Sequence, residues 1–70
     1  MFQPLVFKAV LVARGYSVAK LAEACEMSKV SLYSKINTGR FLRGEIAKIM
    51  VVLDLDSEEV MNIFFAVEPN

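Results

Sequence analysis

SVAKLAEACEMSKVSLYSKINTGR, residues 17–40, carries two apolar rows at helical spacing on either side of a short break. Leu21, Ala22 and Cys25 form the inner face of a first helix, and Met27, Leu32 and Ile36 do the same for a second. Only Cys25, Glu26 and Met27 separate the first helix from Ser28, a residue type suited to cap the second. A connection that short forces the two helices to cross steeply. Ala22 is then the small side chain that lets them approach.

Working outward, breakers at Gly15, Asn37–Arg40 and Asp54–Ser57 divide the rest of the chain. With the central pair they predict five helices, over 4–13, 18–25, 29–37, 44–53 and 57–66. Pro4 suits the first position of the first helix, where its missing N–H has no partner to lose. Ser17, Ser28 and Asp56 are expected N-caps. Each follows an apolar residue spaced to staple onto the helix: Tyr16 with Leu21, Met27 with Leu32, and Leu55 with Val60. Glu59 stands three residues after Asp56, the spacing of a capping box, whereas Leu42 occupies the fourth cap position without a side-chain acceptor. Ile49–Leu53 is apolar enough for a buried strand, yet Glu45, Ile46, Ile49, Met50 and Leu53 keep helical spacing. The fold expected is a single all-α domain spanning 1–70, a compact bundle of five helices.

At 70 residues and 56% hydrophobic content the chain is too apolar for disorder and too short for a second core. Charges starting with Lys8, Arg14 and Lys20 interrupt every apolar stretch, so no run approaches the roughly 18 residues of a membrane span. The start MFQPLVFKAVLVARG has no basic residue ahead of its apolar part, and Lys8 divides it. It reads as a helix and not as a secretory leader, and the chain is expected to be cytoplasmic. One cysteine permits no internal disulfide, and with no histidine neither a zinc site nor histidine acid–base chemistry is expected. Cys25 is expected to be a packed small hydrophobe. Asp54, Asp56, Glu58 and Glu59 lack the glycine and the twelfth ligand of a calcium loop, and fit helix capping. A short helical domain has little concave volume, so no enzyme activity, cofactor or small-molecule ligand is expected.

Net charge is zero but polarised. All eight basic residues lie within 1–48 beside three acidic ones, while the last 22 residues carry five acidic groups and no basic one. The first part of the chain is thus suited to meet a polyanion.

Taken together, RGYSVAKLAEACEMS, SLYSKINTGRF and EIAKIMVVLDLDSEEVMNIFF resemble, in order and spacing, the lambda-repressor-like helix-turn-helix regulators (the XRE, Cro/CI type) of phages and bacteria. The resemblance covers nearly the whole chain. It implies a sequence-specific DNA-binding transcriptional regulator whose second motif helix, around residues 29–37, enters the major groove. Carried over position by position, Lys29, Val30, Tyr33 and Ser34 face base edges. Ser17, Val18, Lys20, Ser28, Lys35, Asn37, Thr38, Arg40 and Arg43 meet the phosphate backbone. The partners implied are double-stranded DNA, a second copy in a homodimer, and a second phage or bacterial regulator competing for the site. The apolar excess of the last helix has two readings: Phe64 and Val60 close the core while the others cover the first helix, or Met61, Phe64, Phe65 and Val67 form the dimer contact. Two positions depart from the family pattern: Val18 stands where a glutamine often touches phosphate, and Glu26 where glycine is usual. These departures, and the lack of arginine, glutamine or asparagine pairs at 29–34, leave an alternative of another class. In it the chain is an antirepressor or modulator that keeps the fold and binds a protein partner.

Overall fold

The computed structural model describes residues 1–66. Five helices follow one another: α1 Pro4–Ala13, α2 Val18–Ala24, α3 Lys29–Thr38, α4 Arg43–Val52 and α5 Ser57–Phe64. No strand occurs among the described residues. Nor is any helix among them long and apolar enough to cross a membrane. The predicted helices all form, with ends displaced by one or two residues.

Three of the four junctions share one construction, which explains how so short a chain turns so often. Gly15, Glu26 and Asp54 take left-handed backbone, at φ of 76°, 57° and 53°. The next residue then donates its amide back to a carbonyl five positions earlier: Tyr16 to Leu11 at 3.0 Å, Met27 to Ala22 at 2.8 Å and Leu55 to Met50 at 2.9 Å. This is the Schellman closure, which satisfies carbonyls the helix end leaves without partners. One residue later the new helix is capped. Ser17 Oγ accepts from the Lys20 amide at 3.1 Å, Ser28 Oγ from the Ser31 amide at 3.0 Å, and an Asp56 carboxylate oxygen from the Glu59 amide at 2.8 Å. The apolar residue between closure and cap turns inward: Leu55 is buried, and Tyr16 and Met27 pack against the core.

The α3–α4 junction differs. Gly39 ends α3 at φ 73°, with its amide donating to the Lys35 carbonyl at 2.7 Å. Leu42 begins α4 with no side-chain acceptor for the first-turn amides, and Glu45 makes only the reciprocal half of a capping box by accepting the Leu42 amide at 2.8 Å. The same carboxylate takes Lys35 Nζ at 3.0 Å, so one acidic side chain joins the last turn of α3 to the first turn of α4. On the far side of the molecule Arg14 Nη2 donates to both oxygens of Glu59, at 2.8 and 2.7 Å, tying the end of α1 to the start of α5.

Every helix feeds one core: Phe7 and Leu11 from α1, Leu21 and Ala22 from α2, Leu32 and Ile36 from α3, Ile49 from α4, and Ile63 and Phe64 from α5. Phe2, ahead of α1, joins Phe7, Phe41 and Phe64 in a four-ring cluster with centroids 5.0 to 6.2 Å apart. The Gln3 amide holds that leading segment against α5 by donating to the Ile63 carbonyl at 2.7 Å. A methyl group on Gly39 would lie 3.1 Å from Phe2 Cβ, a tight contact that adds to the preference for glycine already set by φ.

Phe64 is 7% exposed and packs edge-on against Phe41 at 5.2 Å, which is the core-closing one of its two expected places. Of the other residues expected at a dimer contact, Met61 and Phe65 are exposed. Val67 lies outside the described residues.

Candidate nucleic-acid interface

The densest helix–helix packing in the molecule is between α2 and α3, joined through the Cys25–Ser28 turn. Ala22 is buried together with Leu21 and Cys25 of its own segment and Leu32 and Ile36 of α3, all members of the one core. Burial pushes the Cys25 thiol up from its ordinary value, and Lys48 opposes this to a lesser degree. The thiolate, the nucleophilic and metal-binding form, is thereby disfavoured at neutral pH.

Because Leu32 and Ile36 anchor α3, its other side is fixed outward. Val30, Tyr33, Ser34 and Asn37 are exposed there at spacings of three and four, and Lys29 is exposed as the first residue of the helix, at the edge of that face, three and seven positions before the buried Leu32 and Ile36. The four residues expected to read bases therefore lie together, and Val30 is 79% exposed. An apolar side chain left that open contributes nothing to the core of this chain. Lys29 makes no ion pair among the described residues.

The nine residues expected along a phosphate backbone divide into groups. Ser17 and Ser28 spend an oxygen lone pair on capping, which leaves each hydroxyl hydrogen able to donate. Lys20 and Arg40 are exposed and have no carboxylate partner among the described residues, and Asn37, three positions before Arg40, is exposed too. Val18 packs against the core, so only its main-chain amide is available at the start of α2. Thr38 Oγ1 is engaged twice, donating to the Ser34 carbonyl at 3.0 Å and accepting the Arg40 amide at 3.3 Å. Lys35 is held by Glu45, with only 21% of its side chain accessible. Arg43 opens α4 and lies in one row with Ala47 and Met50, on a different helix from the reading face.

Sequence reasoning missed Glu45. Its signal was present, a glutamate at the third position of a helix whose cap residue has no acceptor, ten positions beyond a lysine. Comparison of the chain with protein-family models, with curated proteins and with solved structures returned no significant match.

Proposed function

We propose that this chain is a sequence-specific DNA-binding regulator of the lambda-repressor-like helix-turn-helix type, acting in the cytoplasm as a homodimer and without catalysis. The observation that carries the proposal is the exposed side of α3, where Val30, Tyr33 and Ser34 stand together with Lys29 at the edge, none of them part of the buried core. Lys29 reaches guanine acceptors, the Val30 methyls suit a thymine methyl, and Ser34 donates or accepts. Lys20, Asn37 and Arg40 then set the register on phosphates without reading sequence. Occupancy of a promoter blocks polymerase or a competing regulator, so the domain acts by covering its site.

A second reading has its own support. Val30 and Tyr33 are exposed apolar groups, and Lys35 is spent on Glu45, so the same face also suits a protein partner. Selection of bound sequences from a randomised duplex pool separates the two. Enrichment of one site supports the regulator. No enrichment by folded protein overturns it in favour of the modulator.

A further inference from the structure

The opening turns of α3, KVSLYS over residues 29–34, contain no arginine, asparagine, glutamine or carboxylate. Apart from lysine, those are the side chains that make paired hydrogen bonds to a base edge. Lys29 stands at the edge of the exposed side, and Ser34 offers a single hydroxyl. What lies between them is apolar. Val30 is 79% exposed, and Tyr33, three residues on and so on the same side of the helix, is 49% exposed. Neither belongs to the core or to the partly buried side chains packed against it.

In the major groove thymine alone among the four bases presents an apolar group, its C5-methyl, and the other base edges present hydrogen-bond donors and acceptors. An apolar side chain placed over such a donor or acceptor takes it out of water without giving it a partner, which is unfavourable. Val30 and Tyr33 therefore discriminate in both directions, by contact with a thymine methyl and by desolvation of anything else in its place. Valine is held near one side-chain rotamer in a helix, so its two methyl groups keep a fixed place at the start of α3.

We infer that Val30 and Tyr33 make this domain a reader of thymine methyl groups, selecting its sites by apolar contact at C5 and not by paired hydrogen bonds. The inference rests on the preceding proposal that the exposed side of α3 meets duplex DNA, and it names the base that this side selects. One methyl group removed from water contributes about fourfold in affinity, so one contact from each side chain amounts to about fifteenfold.

The test compares the binding of the full chain to two short duplexes, one of alternating dA and dT and the other with deoxyuridine in place of every thymidine. Uracil lacks only the C5-methyl, so the phosphates and every hydrogen-bonding group are the same in both. The wild type is expected to prefer the thymine duplex about fifteenfold. Val30→Ala is expected to lower that preference about fourfold and to leave affinity for the uracil duplex within about twofold of wild type. Tyr33→Ala lowers the preference by a similar factor, and Arg40→Ala weakens both duplexes alike and keeps the preference. Val30 and Tyr33 lie outside the core, so melting curves verify that their variants fold. A wild type that binds both duplexes equally, or a preference that survives both substitutions, overturns the inference and leaves the DNA-binding proposal standing. Folded protein that binds neither duplex overturns both.

Discussion

Glu26 occupies left-handed backbone at φ 57°, a conformation that costs glycine nothing and a side-chain-bearing residue about 1 kcal/mol. Asp54 does the same at φ 53°, but aspartate visits that region more readily than glutamate. Glu26 is exposed and makes no ion pair among the described residues, so nothing offsets its cost. Glu26→Gly is therefore expected to stabilise the domain by roughly 0.5–1 kcal/mol, raising Tm by several degrees in a thermal melt. An unchanged or lower Tm would show that the turn is not strained. Cys25 supplies a second expectation at this scale. Its folded thiol sits above the ordinary value of 9.0, so the unfolded chain loses its proton first as pH rises. The contribution to stability is whole below that ordinary value and is lost from there up through the raised folded one. Urea midpoints are expected to fall more steeply in the wild type than in Cys25→Ala as pH rises above the ordinary value of 9.0. Parallel slopes would mean that the thiol ionises equally easily in both states.

At the level of elements, the α2–α3 crossing depends on one methyl group. Ala22 is 2% exposed, and a larger side chain must push the helices apart. Overpacking costs about 1–3 kcal/mol in a domain whose core supplies little more than about 3–5 kcal/mol in total. Ala22→Leu is expected to leave much of the protein unfolded at 37 °C, measured by circular dichroism; wild-type stability would contradict the close crossing. The outward side of α3 should respond in the opposite way. Lys29→Ala removes no internal partner, so Tm is expected to hold within about 0.5 kcal/mol equivalents while affinity for a selected duplex falls about tenfold. A stability loss with unchanged affinity would assign Lys29 to the fold. These elements were legible in the sequence because their signals are local. A cap, its staple and the following helix lie within a few residues, and Ser17, Ser28 and Asp56 all cap as expected.

Across the whole molecule, legibility ends where contacts span the chain. Phe2, Phe7, Phe41 and Phe64 form one cluster from four separate segments, and no spacing rule joins them. Which of its two expected places Phe64 takes was not legible for that reason. Val60, Met61, Ile63, Phe64 and Phe65 surround α5 with apolar side chains, and only packing against Phe41 and Phe2 decides which of them turn inward. Lys35 was placed among the phosphate contacts because the pattern could not reveal that Glu45 reaches back to it across the α3–α4 junction. The exposed side of α3 was legible, since burial of Leu32 and Ile36 dictates what points away.

The central claim is that this face, flanked by Lys20 and Arg40, meets duplex DNA. Its most direct measurement is a titration of isotopically labelled protein with a short duplex at low salt, following each backbone amide and repeating the affinity at rising salt. Even an arbitrary duplex is expected to bind with Kd of about 10⁻⁴–10⁻⁶ M, with perturbed amides concentrated at 29–37. Log affinity should fall against log salt with a slope of about −0.9 per neutralised phosphate, or roughly −2 per copy for Lys20 and Arg40. Folded protein that leaves the amides of α3 unmoved, or binds with no dependence on salt, would contradict the account.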